Sequence, residues 1–381
     1  MKISIVTSFP FPDGKATANR VKVFIDELLK SSYIDSVEVF CCSGDSSSSY
    51  LINNSLRVTN LKVDPIDKNR LFMRAFCELS MAFRLWRQAR VSCADLTLIS
   101  VPSMLLLVPL ILNPRKFRIA LDLRDAVWTY FGRGLFPRLA AKLLLTLFKV
   151  AAKRAEIISV TNTEEFEQIK QVLGYPALLV PNGISETKLD EMRSIKWPSP
   201  SVLTRLTYIG NVGIAQELDQ LIDFSRDISN LMITIVGDGA KLEALKRKCE
   251  CDNISNIFFS GLVPAAAVKG YIDSADILFA QIGAKYKTAV PTKVFEYIAS
   301  GRKVLLGLPE GPARKIFSEF HGIEIFEVGN RECFLEAYNR LLKIEITEER
   351  NNNNVDLLRV RYLREKSAKR LVQAIENVIV L

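Results

Sequence analysis

Histidine is almost missing from this sequence: 381 residues contain one, His321, in the stretch SEFHGIE. That scarcity excludes HExxH zinc sites and His-rich metal clusters. Unless His321 itself serves, it also excludes Ser-His-Asp and Cys-His nucleophilic chemistry. The polar neighbourhood of His321 reads as surface. Cysteine pairing is missing too. The seven cysteines (Cys41, Cys42, Cys77, Cys93, Cys249, Cys251, Cys333) are odd in number, scattered and without a CxxC pair. In so long a chain this pattern implies reduced cytosolic thiols rather than a disulfide framework. No long uninterrupted apolar run occurs. LISVPSMLLLVPLILN, Leu98–Asn113, is short of a membrane span and broken by Pro102 and Pro109, so no transmembrane helix is expected. Met1 and Lys2 lead straight into ISIVTSF, a buried-strand pattern that lacks the layout of a signal peptide. A full GxGxxG with its acidic ribose anchor is absent, which argues against a nicotinamide site. The carboxylates of ALDLRDAVW are spaced DxxD, and no second acidic cluster accompanies them, so no Mg²⁺ or Mn²⁺ site is expected.

What is present is a chain long enough for two domains. Its formal net charge of +9 suits nucleic acid, anionic lipid or phosphorylated ligands. No aromatic-interleaved basic motif or recognisable nucleic-acid module appears, which removes the first.

Strand-like apolar runs alternate with helical patterns throughout, the signature of α/β folds with parallel sheets. ISIVTSF is followed by a glycine turn at Gly14 and a helix over Asn19–Lys30. SVEVFCC, LTLIS, RIALDL and IISVT supply further strands, and ALLVPNGI (Ala177–Ile184) is the last element before a connection. SIKWPSPSV, Ser194–Val202, with prolines at 198 and 200, is the linker candidate. RLTYIGNVG and LMITIVGDG then each read as a strand with a glycine turn, and NIFFSGLV, ADILFAQI and KVLLGLP as strands. Helical patterns lie between them, as at Lys241–Glu250 and Lys293–Ser300. EERNNNN, Glu348–Asn354, reads as a polar loop, and an amphipathic helical pattern from Leu358 to Val378 closes the chain. The expected domains are 1–192, 193–357 and a terminal helix 358–381.

Within TAVPTKVFEYIASGRKVLLGLP, Lys293 and Glu296 stand three residues apart at the head of a helical pattern that Gly301 stops. Two readings are open. A helix N-terminus with a lysine suits an anion, and Glu296 one turn deeper can accept hydroxyl hydrogen bonds, which together suggest a phosphate-plus-sugar ligand. The same spacing also describes a surface ion pair. Gly210-Asn211-Val212-Gly213 and Gly237-Asp238-Gly239 follow strands of one predicted sheet, where tight turns are common. Their placement beside the Lys293 helix favours a phosphate-binding cleft. Asp122, Arg124 and Asp125 fall just past another strand, as cleft-facing groups or as a structural Arg–Asp pair.

The run YIGNVGIAQELDQLI … ITIVGDGAKLEAL … NIFFSGLV … ADILFAQI … PTKVFEYIASGRKVL resembles the donor domain of GT4-family glycosyltransferases. LDLRDAVW and PNGI are similar to stretches of the bacterial polysaccharide-assembly members. The resemblance implies a GT-B fold: two doubly wound Rossmann-like domains facing across a cleft, with the C-terminal helix crossing back. It implies retaining, metal-independent transfer from a nucleotide-sugar, with UDP expected from family frequency. The acceptor would be a lipid-linked saccharide of O-antigen, capsule or exopolysaccharide biosynthesis. The nucleotide-sugar is a co-substrate and no cofactor is implied. Lys293 would contact the diphosphate and Glu296 the ribose. Gly210, Asn211 and Gly213 would give room near the phosphates, Gly14 would do so from the other domain, and Gly237 and Gly239 are further nucleotide-binding candidates. Thr292 precedes Lys293 at the same site. Thr288 replaces the first glutamate of the family's E-x7-E motif, Asn211 and Gln216 replace its arginine and lysine, and Arg124 stands nearest the place of its N-domain histidine. Asp122, Arg124 and Asp125 join Lys293 and Glu296 as catalytic candidates. A nucleotide-sugar 2-epimerase of the same fold and a non-catalytic scaffold are the alternatives.

GLFPRLAAKLLLTLFKVAAKR, Gly134–Arg154, sets Arg138, Lys142, Lys149 and Lys153 on one helical face, with leucines and Phe148 over much of the rest. Either it lies on an anionic membrane through Leu135–Arg154, or it is a core helix with a solvated basic edge. The first reading makes the protein cytoplasmic and peripheral to the inner face of the cytoplasmic membrane.

Overall fold

The computed structural model describes residues 1–12, 16–43, 47–63, 71–101, 103–112, 117–131, 134–196 and 202–380. Gly14 and most of the proline-containing linker candidate lie outside them. The chain forms two compact units, Met1–Asn182 with Arg364–Leu381, and Gly183–Leu363.

In the first unit, β1 (Lys2–Val6) leads to α1 (Ala16–Leu28) and β2 (Ser36–Ser43), followed by β3 (Ser48–Asn53) and β4 (Leu56–Lys62). After α2 (Leu71–Val91) come β5 (Leu96–Val101), α3 (Val108–Leu112), β6 (Ile119–Leu123) and α4 (Leu135–Ala152). β7 (Ile157–Val160), α5 (Thr163–Leu173) and the short β8 (Leu178–Leu179) complete it. The sheet order is β3-β4-β2-β1-β5-β6-β7-β8, parallel except where β3 pairs antiparallel with β4. Period-two alternation divides each strand between two cores. Ile3 and Ile5 of β1 and Leu96 and Leu98 of β5 face α1 and the terminal helix, whereas Val6, Ile99 and Val101 face α2, α4 and α5. Strands buried on both faces have no polar side, which is why they read as continuous apolar runs.

In the second unit, α6 (Glu186–Arg193) precedes β9 (Thr204–Ile209), α7 (Leu218–Ser225), β10 (Leu231–Val236), α8 (Leu242–Cys251) and β11 (Ile257–Gly261). The chain continues through α9 (Ala265–Ser274), β12 (Ile277–Gln281), α10 (Lys293–Ala299), β13 (Lys303–Gly307), α11 (Pro312–Phe317) and β14 (Ile323–Phe326). α12 (Arg331–Lys343) and α13 (Glu348–Arg361) follow, and α14 (Arg364–Val380) belongs to the first unit. The all-parallel order β11-β10-β9-β12-β13-β14 reverses direction between β9 and β12. That switch point opens a crevice at the carboxyl ends of the two strands, and the Gly210 turn and the chain entering α10 both start there.

The structure corrects several expectations. EERNNNN is helical: Thr347 caps α13 through its side chain. Asn354 is buried and holds the backbone of His321 from both sides at 2.9 Å. Polar composition hid a helix whose asparagines serve as backbone partners. The first division falls at Asn182/Gly183 instead of 192/193, because Ile184, Leu189 and Met192 bury themselves in the core beneath α10. The terminal boundary falls at Leu363/Arg364 instead of 357/358, with α13 kept in the second unit and α14 packed on α1. The β3–β4 hairpin, α2 and β14 carry no expectation from the sequence. His321 is exposed, as its context implies.

Candidate functional site

At the switch point of the second unit, two glycine turns stack. The amide of Gly210 donates to Val236 O, the amide of Val212 to Asp238 O, and the amide of Lys241 to Val212 O, at 2.9–3.0 Å. Gly237 has φ +139°, and a Cβ there would lie 1.8 Å from the carbonyl oxygen of Gly210. At Gly239, φ +159°, a Cβ would lie 2.4 Å from the carbonyl oxygen of Val212. Both glycines are therefore required by contact between the two turns. Close approach of the two turns is the task the structure gives Gly237 and Gly239. Tyr208 fixes the first turn by donating to Asn211 O at 2.7 Å. Asn211 and Gln216 hydrogen-bond each other at 3.3 Å, and Gly213 lies against both side chains.

The other wall comes from β12 and α10. Gly283 N–H donates to Ala215 O at 2.7 Å, and the buried Gln281 amide donates to the carbonyls of Gln216 and Glu217. Tyr297 of α10 places its hydroxyl between the amide and the carbonyl of Ile209. The Tyr297 tie holds α10 against the end of β9, one residue before the Gly210 turn. Thr292 is the residue preceding α10 and its side chain makes no capping bond. Lys293 Nζ donates to Glu296 Oε2 at 2.8 Å, with Lys293 partly exposed and Glu296 mostly covered. The surface-pair geometry is thus formed, at the start of the helix that follows β12. Thr288 is buried. Exposed Lys241, Lys285 and Lys287 stand on the turns that follow β10 and β12. They add positive charge at the carboxyl ends of these strands, where a polyanion would be attracted.

In the first unit, RIALDL carries Asp122 at the end of β6, fully buried. Arg20 of α1 donates to Asp122 Oδ2 through Nε at 3.0 Å and to Oδ1 through Nη2 at 2.7 Å. The Ser159 hydroxyl donates to Oδ1 at 2.8 Å. Arg20 also reaches Asn182 Oδ1 and Val180 O. Burial pushes the Asp122 carboxyl up, but the charge and hydrogen bonds of Arg20 outweigh it and hold the group below the usual range. Asp122 thus has both oxygens occupied within the first unit, the arrangement of a structural pair. The Arg–Asp pair is real, but its arginine comes from α1.

Arg124 and Asp125 differ from it. Arg124 leaves Nε and Nη1 buried without hydrogen-bond partners among the described residues. Burial, then the charge of Arg20, lowers its guanidinium to about 10. Asp125 accepts from the Tyr130 hydroxyl at 2.9 Å, and burial raises its carboxyl. Glu165, missed in the sequence, joins this group. Asn162 caps α5 by accepting from the Glu165 amide, and the Glu165 carboxylate reaches back to the amide and hydroxyl of Thr161 and across to the Ala126 amide. NTEE, Asn162–Glu165, is a capping-box spacing, the signal that could have found it. Burial, then the charge of Asp125, pushes Glu165 up to about 8. Among the described residues no group of three His, Cys, Asp or Glu side chains is placed to hold a metal ion.

Residues 194–356 match the family model described as glycosyl transferases group 1. No curated protein matches the sequence. Among solved structures the chain is similar to sucrose-phosphate synthase from Thermosynechococcus elongatus, at TM-score 0.77 and 14% identity, covering 100% of this chain and 99% of that one. It is similar to Anabaena Alr3699/HepE in complex with UDP and glucose, at TM-score 0.69 and 12% identity, covering 99% of each chain. It is also similar to WaaG, a glycosyltransferase involved in lipopolysaccharide biosynthesis, at TM-score 0.67 and 14% identity, covering 96% of this chain and 98% of that one. The fold of the chain is the GT-B fold.

Proposed function

With a group 1 glycosyl transferase domain at residues 194–356 on a GT-B fold, we propose that this chain is a retaining, metal-independent glycosyltransferase. It uses a UDP-sugar and a lipid-linked saccharide acceptor in surface polysaccharide biosynthesis. The carrying observation is the half-covered Lys293–Glu296 pair at the head of α10, tied through Tyr297 to the strand that opens the Gly210 turn. In this reading the nucleotide diphosphate takes the lysine from its carboxylate and Glu296 turns to the ribose hydroxyls. Lys241, Lys285 and Lys287 supply the positive charge that a metal would otherwise bring. The sugar C1–O bond to the diphosphate breaks as the acceptor oxygen bonds to C1 on the same face. The acceptor proton passes to the departing phosphate oxygen, and cationic stabilisation of that leaving group carries the rate. UDP is favoured by the Anabaena neighbour, whose structure holds UDP and glucose. The lipid-linked acceptor is favoured by the likeness to a lipopolysaccharide transferase.

The test is UDP release from UDP-sugars in the presence of an acceptor, with product analysis. Lys293→Ala should keep the melting temperature and lower turnover about 10²–10³-fold. Glu296→Gln should mainly weaken donor binding, because its hydroxyl contacts exist before and during transfer. A solvated ion pair contributes only ~0.2–1 kcal/mol and leaves activity alone. Unchanged turnover in folded Lys293→Ala would therefore remove this reading. A 2-epimerised nucleotide-sugar as product would identify the epimerase instead, and donor binding without any turnover the scaffold.

A further inference from the structure

α4 turns a mixed face outward. Leu144, Leu147, Phe148, Ala151 and Ala152 pack into the first unit's core, and Phe148 lies 5.1 Å from the Trp128 ring. On the opposite side Leu135 is 71%, Phe136 83%, Leu139 56% and Leu143 70% exposed. At about 100° per residue these four form one flank of the outward arc, and Arg138, Lys142, Lys149 and Lys153 form the other. No acidic residue occurs between Leu135 and Ala152, and none of the four cations has an ion-pair partner among the described residues. Helices of the second unit are built differently, with cations paired along their own surfaces as in Lys188–Glu191, Lys246–Glu243 and Arg340–Glu336.

We propose that the outward face of α4 is a docking surface for an anionic lipid bilayer. Large aliphatic and aromatic side chains beside unneutralised cations match the two layers of a membrane interface: acyl chains for Leu135, Phe136, Leu139 and Leu143, headgroup phosphates for the basic flank. Nucleic acid would satisfy the cations and leave the leucines in water. A second copy of this chain would cover the leucines and oppose two wholly cationic flanks. The helix lies in the plane of the surface, since its inner side is occupied by the core. This placement holds the chain at the leaflet where a lipid-linked acceptor would be found.

Co-sedimentation of the full chain with vesicles tests the surface, using phosphatidylcholine alone or with phosphatidylglycerol, and no donor or acceptor. Its failure would leave the transferase reading standing, and the reverse holds. Binding is expected only to the anionic vesicles and should fade as salt is raised. Changing Arg138, Lys142 and Lys149 together to Gln should lower partitioning on the order of 100-fold at unchanged melting temperature. Phe136→Trp should show a blue-shifted emission on anionic vesicles alone. Equal binding to both vesicles, full binding by the triple Gln variant, or a lipid-free dimer abolished by Leu139→Ser would each overturn the proposal.

Discussion

The Tyr297 hydroxyl sits 3.1 Å from both the amide nitrogen and the carbonyl oxygen of Ile209. One side chain on α10 thus satisfies both backbone groups of the last residue of β9, one position before the Gly210 turn. The phenol is completely buried, which keeps it protonated and able to donate. Donor-site geometry then depends on a residue that need not touch the donor. Tyr297→Phe leaves the Ile209 amide buried without this partner and should cost about 1–3 kcal/mol. Differential scanning calorimetry should show a lower melting temperature, and nucleotide binding should weaken through displacement of the Gly210 turn.

The glycine turns give a second, sharper comparison. Gly237→Ala would drive a Cβ to 1.8 Å from Gly210 O at φ +139°, so one turn must move away from the other. A cost of at least ~2 kcal/mol and loss of nucleotide affinity are expected. Gly174 also has positive φ, +82°, but nothing lies within 4 Å of the position its Cβ would take. Gly174→Ala should cost only about 1–2 kcal/mol, the penalty of the left-handed conformation alone, with nucleotide affinity unchanged. Equal effects on nucleotide binding would refute close packing of the turns as the reason for Gly237.

Much of this arrangement was legible because parallel sheets buried on both faces write themselves as apolar runs, and nearly every core strand was visible that way. Lys293 and Glu296 could be paired from spacing alone. What could not be read was partnership across the sequence. Asp122 could be read as a cleft acid or as half of a structural pair, because nothing in LDLRD reveals that its arginine sits at position 20. Glu165 drew no expectation, because only the fold brings Ala126 and Asp125 against it. EERNNNN misled for the same reason, since Asn354 earns its place only by meeting His321. The leucines of α4 divided in a way that periodicity alone left open: 144 and 147 inward, 135, 139 and 143 outward.

Arg20 and Asp122 supply a prediction that separates structure from catalysis. Both are buried and joined by two hydrogen bonds, so Asp122→Asn leaves the Arg20 charge without its counterion. Breaking a buried pair from one side costs about 3–5 kcal/mol. The variant should melt far below the wild type, yet turn over substrate normally at a temperature where it remains folded. A well-folded Asp122→Asn protein lacking turnover would restore Asp122 to the catalytic set.

Glu165 yields the pH prediction, and its sign follows from the direction of the shift. Its carboxyl is raised from 4.5 to about 8 by burial and by Asp125. Below the unfolded value both states hold the proton, and the group takes nothing from stability. As pH rises from there to the folded value, the unfolded chain releases the proton while the native chain keeps it. Stability therefore falls across this window and levels off above about pH 8, at ~1.4 kcal/mol per pH unit of displacement. The groups facing the carboxyl are Asp125, the Thr161 hydroxyl and the amides of Thr161 and Ala126, with Arg124 next to Asp125. Glu165→Gln keeps the acceptor oxygen and cannot ionise, so it should lose this part of the pH slope. Relative to wild type it should gain stability steadily between pH 5 and pH 8. Chemical denaturation at several pH values would read the difference directly, and parallel curves for the two proteins would show that Glu165 ionises normally in the fold.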